Sequence, residues 1–170
     1  MKSVSTGQAP KVSLSRALEQ EHREIDEAIE NCADGPAPGA EEKAALKRAV
    51  DELRRHIYTE EELLFPPLRH AGMLGPILVM LREHGDMWPL LDTLDHGLAG
   101  DVGEDVLRPT CRQLLVLLQR HNPKEEQILY PEIDRIVDDD ARLGVHEFLD
   151  AGQVPADWTC QFLRLTDGRG

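Results

Sequence analysis

The chain has 170 residues, enough for one domain with a sizeable core. Aromatics make up only 4% of it while Leu, Glu and Ala are frequent, a mix that favours helices over a sandwich or barrel. The formal net charge of -13 argues against general nucleic-acid or anionic-membrane binding, and its plain consequence is solubility.

Residues 1–12 are polar, contain Gly7 and Pro10, and read as a flexible tail. Ser13 is placed to cap a first helix. Its apolar positions Leu14, Leu18, Ile25 and Ile29 recur at helical spacing, with His22 on the same stripe. The run DGPAPG at 34–39 ends it. A second helix is expected from about Glu41 to Phe65, with Leu46, Val50, Leu53, Ile57 and Leu64 facing the core. His56 and Glu60, four residues apart, project together there. Pro66 and Pro67 are expected to close or redirect this helix. A third covers roughly Met73 to Leu94, with Ile77, Leu81, His84, Trp88 and Leu91 in one stripe and Pro89 as a kink candidate. A fourth runs from about Glu104 to Val137. Pro109 fits its first turn, whereas Pro123 falls inside the pattern and is expected to bend or break it. Beyond Ala141 the periodicity weakens. ARLGVHEFLDAG allows a short helix, and Trp158, Phe162 and Leu165 offer packing groups for the bundle ends.

Four long amphipathic segments with short connections predict an all-α, up-down four-helix bundle over residues 13–140. A short irregular or helical C-terminal extension, residues 141–170, is expected to pack on it. Cys32, Cys111 and Cys160 lie far apart in the chain, form no CxxC pair, and read as core fillers rather than a disulfide framework. The start of the chain does not read as a signal peptide, and no apolar run reaches the length of a membrane span. The expected location is therefore cytoplasmic.

The two halves repeat. Glu21-His22 in QEHREID matches Glu83-His84 in REHGDMW. HIYTEEELLFPPL, residues 56–68, aligns without a gap to HNPKEEQILYPEI, residues 121–133. Each half thus offers one lone helix histidine and one H-x-x-x-E pair. Converging at a bundle centre, His22, His56, His84 and His121 could serve two metal ions, one pair of imidazoles each, with Glu60 and Glu125 bridging. Imidazole suits iron and zinc, and mixed N and O donors leave the identity open. A bridging water-derived oxygen would be a fifth donor to each ion, leaving one position for solvent or substrate. A lone histidine on an apolar face is ordinarily a hydrogen-bonded core residue. Four in matched positions, two with a glutamate four residues on, resist that explanation, because burying six such groups without metal is expensive.

Other residues give weaker signals. Glu21, Glu61, Glu83 and Glu126 either bond to the candidate ligands or face water. Tyr58 and Tyr130 read as packing residues. His70, His96 and His146 lack matched partners and read as surface or cap residues. PEIDRIVDDD, residues 131–140, lacks calcium-loop spacing and reads as a solvated end.

The set His22, His56-x-x-x-Glu60, His84 and His121-x-x-x-Glu125, with LFP and LYP after the two pairs, resembles the hemerythrin-like family, in particular its HHE cation-binding branch. The resemblance covers about residues 13–137. It implies a four-helix bundle around a non-haem di-iron centre, two iron ions bridged by carboxylate and by oxo or hydroxo. Oxygen-carrying hemerythrins use five histidines, two of them spaced by four on the third helix. The positions four away from His84 are Met80 and Trp88, so that fifth histidine is missing. The carrier's longer histidine-to-aspartate spacing is also replaced, here by His121-x-x-x-Glu125. Both departures point away from simple oxygen carriage and leave room for exogenous ligands.

The leading expectation is di-iron chemistry with dioxygen, peroxide or nitric oxide, in its concrete form catalase-like peroxide disproportionation. The alternative is a non-enzymatic module for oxygen, nitric oxide or iron sensing or storage. A third is an acidic helical adaptor with a structural metal. The expected partners are a small diatomic ligand or peroxide and a separate redox or signalling protein, with neither nucleic acid nor membrane. A carboxylate-rich ferritin-like oxidase is disfavoured, because its E-x-x-H elements are replaced by H-x-x-x-E.

Overall fold

The computed structural model describes residues 13–100 and 104–168. The expected tail at 1–12 lies outside them. Four long helices form the frame: α1 (Leu14–Asp34), α2 (Ala40–Tyr58), α4 (Leu74–Ala99) and α5 (Glu104–Lys124). Helix α1 packs on α2 and α5, and α4 packs on the same two, which closes an up-down bundle. The Ser13 hydroxyl accepts from the Arg16 N–H, as its capping position requires.

Two of the expected long helices are composite. α2 widens into a π turn over Thr59–Leu64 and resumes as α3 (Phe65–His70). α5 does the same over Glu125–Leu129 and resumes as α6 (Tyr130–Ile136). In these turns the Phe65 N–H donates to the Glu60 carbonyl and the Tyr130 N–H to the Glu125 carbonyl, one residue further back than in an α-helix. Pro66 and Pro67 therefore do not close the second helix. They fall in the first turn of α3, where a missing N–H costs little. Pro123 lies inside α5 and Pro89 inside α4 without ending either. α4 runs five residues past the expected Leu94, to a stop at Gly100, whose positive φ of 86° suits glycine.

α7 (Asp139–Ala151) packs on α1 and the first π turn, and α8 (Gln161–Thr166) packs on α4. Trp158 meets Trp88 and Tyr58 edge-on, and Phe162 lies against Gly85 on the flank of α4 rather than over a bundle end. Leu165 is 68% exposed and stays out of both core clusters. Nor is 131–140 wholly solvated: the Asp134 carboxylate accepts from the Leu14 N–H and the Ser15 hydroxyl, tying α6 to the start of α1. All three cysteines are buried and free, and the fold brings the thiols of Cys32 and Cys111 into hydrogen-bonding contact.

The core divides in two. One cluster gathers Ile29, Leu53, Trp88 and Leu114, and the other Leu18, Leu64, Ile77 and Ile133. The buried polar layer lies between them in each long helix, for His22 falls between Leu18 and Ile25, and His84 between Leu81 and Trp88. Among the described residues no helix is long and apolar enough to cross a membrane.

Candidate metal centre

All six candidate ligands reach this layer, none more than 4% exposed. Two groups result: His22, His56, Glu60 and Glu125, and Glu60, His84, His121 and Glu125. Within each, one ligand atom from every residue lies within 4.8 Å of the others. Each half of the repeat supplies one pair of imidazoles, and both carboxylates belong to both groups. Two shared carboxylates between two nitrogen pairs are the geometry of a bridged ion pair.

Each imidazole is held from behind. The Nδ1 of His22 bonds Glu126 at 2.9 Å, His56 bonds Glu21 at 2.8 Å, His84 bonds Glu61 at 2.8 Å and His121 bonds Glu83 at 2.9 Å. Each carboxylate favours a proton on Nδ1 and turns Nε2 inward, as metal-bound histidines require. The pattern follows the repeat. The glutamate before each lone histidine serves the paired histidine of its own half, and the glutamate after each shared carboxylate serves the lone histidine of the other half. Lys124 in turn pairs with Glu83. His70 and His96 do not join the layer: each bonds a backbone carbonyl four residues back at the surface. His146 also lies away from it, in a surface cleft beside Glu21 and Glu24.

Electrostatics marks the layer as short of positive charge. Six carboxylates surround four imidazoles. Burial pushes His84 down, yet Glu60 and Glu61 outweigh it and lift the imidazole to about 10. His56 and His121 likewise rise against burial because of Glu60, Glu21, Glu125 and Glu83. Burial and Glu125 push Glu60 up, but His56 and His84 bring it down to about 2. Glu125 is held well below the carboxylate range by His121 and His22 despite its burial. Three atoms here are buried and make no well-aligned hydrogen bond, Glu60 Oε2, His84 Nε2 and Glu125 Oε1, although His84 Nε2 stands 3.3 Å from Glu60 Oε2 and His121 Nε2 3.1 Å from Glu125 Oε1. Orphaned atoms of this kind are costly in a plain protein core and are satisfied by a cation. Donor type, charge and orphaned atoms together fit a carboxylate-bridged di-iron site.

Tyr130 is the residue the sequence reading misplaced. Its hydroxyl does not merely pack: it lies 2.8 Å from Glu60 Oε1, 3.0 Å from His22 Nε2, 3.1 Å from His56 Nε2 and 3.2 Å from Glu125 Oε2. Burial, with Glu125 and Glu60 adding, pushes its phenol well above the usual value. Tyr58 does pack, stacked on Phe148 and edge-on to Trp158.

A four-helix bundle around paired His/Glu clusters defines a class of metal-binding proteins suited to small diatomic ligands. The hemerythrin HHE cation-binding domain matches residues 13–133, most of the chain, and the protein belongs to that family. No curated protein and no solved structure matches it.

Proposed function

We propose that His22, His56, His84, His121, Glu60 and Glu125 hold two iron ions, and that this chain binds dioxygen or nitric oxide and disproportionates peroxide. The observation that carries the reading is the closed layer of four imidazoles and two shared carboxylates. A layer this buried suits a ligand of a few atoms. A cleft of about 620 Å³ opens beside Arg54, Trp88 and Trp158, but none of the six residues lines it. Bound iron supplies the electron exchange that protein side chains lack. In disproportionation one peroxide is oxidised to dioxygen and another is reduced to water, so no outside reductant is required.

The chain's own part is to hold and to move protons. Glu21, Glu83 and Glu126 are 18%, 22% and 34% exposed. Each has one oxygen on an imidazole N–H and a path to water, so each offers a proton route between site and solvent. The test is iron content and peroxide consumption of the chain reconstituted with ferrous iron under anaerobic conditions. Two irons per chain and turnover faster than the same iron free in solution are expected. Two irons with no faster turnover would leave ligand binding and remove the catalytic claim. Failure to take up metal would overturn the centre itself.

One contact favours a second reading, a sensor that signals to a separate redox or signalling protein. The Gln161 N–H donates to Glu61 Oε2 at 2.7 Å, and the other Glu61 oxygen accepts from His84. The start of α8 is thus one carboxylate away from an iron ligand. Amide exchange at Gln161 that stays the same in metal-free, iron-loaded and nitric-oxide-treated protein would rule this reading out.

A further inference from the structure

We propose that the Tyr130 hydroxyl oxygen is a fifth protein donor to the ion on the His22/His56 side, which makes the two metal positions unequal. The inference rests on the di-iron reading above and adds a ligand that the histidine and glutamate pattern does not contain.

Donors at right angles around one ion, with bonds of about 2.1 Å, stand about 3.0 Å apart. The His22/His56 group is built on that spacing. His22 Nε2 is 3.1 Å from His56 Nε2, His56 Nε2 is 3.3 Å from Glu60 Oε1, and Glu125 Oε2 is 3.4 Å from His22 Nε2. The Tyr130 oxygen stands 2.8 to 3.2 Å from all four atoms. The phenol oxygen thus keeps to all four atoms the spacing that a fifth donor to the same ion would keep. Hydrogen bonding alone does not account for this. A hydroxyl donates one hydrogen bond and accepts two, fewer than the four contacts made here, two of which are to carboxylates. As the oxygen joins the donor set, the hydroxyl releases its proton to solvent.

The other half supplies the comparison. Phe65 opens α3 as Tyr130 opens α6, and each follows its π turn directly. The Tyr130 ring stacks on His22 with centroids 5.5 Å apart, and the Phe65 ring stacks on His84 at 5.9 Å. The two aromatic residues hold matched places, but Phe65 has no oxygen to offer. The orphaned atoms Glu60 Oε2, His84 Nε2 and Glu125 Oε1 all lie on the Phe65 side. That side has four protein donors and is the one left to receive an exogenous ligand.

The test uses the full chain loaded with iron, oxidised to the ferric state and assayed for metal. A tyrosinate-to-ferric charge-transfer band in the visible, with resonance-enhanced tyrosinate ring vibrations, is expected. The chain has only two tyrosines, so the assignment is direct. Tyr58→Phe keeps the band, and Tyr130→Phe loses it while retaining iron. If Tyr130→Phe does not fold, ring-deuterated tyrosine in Tyr58→Phe protein shifts the same vibrations and makes the same assignment. Two irons per chain with no tyrosinate vibrations would overturn this proposal and leave the di-iron centre standing. A band that survives Tyr130→Phe, or vanishes in Tyr58→Phe, would also overturn it. Less than two irons in the native chain would fail the underlying reading instead.

Discussion

Glu61 shows how much one side chain can fix. It is buried, accepts from His84 Nδ1 through one oxygen and holds the Gln161 N–H with the other. Glu61→Gln keeps the shape but loses the charge that makes Nδ1 the donor. Groups that orient a metal-bound histidine ordinarily contribute about 10- to 100-fold in metal affinity. A loss of that size is expected in competition with a chelator, and unchanged affinity would count against the role. Asp26 offers a separate test. Burial, with Glu30 and Glu126, outweighs His22 and the Asn122 amide and lifts its carboxyl from 3.8 to about 6. The folded state therefore binds this proton more tightly than the unfolded state, so stability falls as pH rises from 3.8 through about 6. Asp26→Asn is expected to be more stable than the native chain at pH 8, with the gap closing towards pH 4. Urea midpoints across that range decide it, and a constant gap would sink the assignment. The six histidines and glutamates of the layer could be picked out of the sequence because the repeat marks them by type and spacing. Their four glutamate partners stayed ambiguous, because adjacency along the chain does not say which helix faces which. Glu21 serves His56, not its neighbour His22.

Helix periodicity gave the four long segments, since each buries a stripe of apolar residues at the 3.6-residue repeat. The π turns were hidden from it. An α-helix rotates about 100° per residue, so residues five apart diverge by about 140°. On that template Tyr130 faces away from Glu125. The i→i−5 bond absorbs one residue and returns Tyr130 to the face of Glu125, where its hydroxyl contacts the carboxylate. Pro66 and Pro67 misled for the same reason: a widened turn before them removes the need for their missing N–H. The docking of α8 depends on a contact no periodicity shows. A Cβ on Gly85 would come within 2.4 Å of Phe162 Cδ1 and 3.0 Å of its Cβ, so the ring cannot simply swing aside. Gly85→Ala is expected to cost about 1–3 kcal/mol, as overpacking does. Chemical denaturation measures this, and a neutral result would mean that α8 is only loosely seated.

At the scale of the molecule, two apolar clusters close over a layer rich in negative charge. Without metal, that layer must be neutralised by protons on imidazoles. Bound ions supply the charge instead and join α1, α2, α4 and α5 through their own side chains. Binding to the folded state alone stabilises it by about 2.7 kcal/mol at a hundred times the dissociation constant. Chelation is therefore expected to lower the melting temperature by several degrees in calorimetry. A transition unmoved by removal of all metal would show that the bundle does not need it. The pairing of Tyr130 with Phe65 carries one more consequence. The donor sets of the two halves differ by a single oxygen atom, so which ion stays open to a ligand can be edited one atom at a time. Deleting that atom at 130, adding it at 65, doing both or neither gives four proteins of nearly identical shape. In the double exchange the open position should move to the opposite iron.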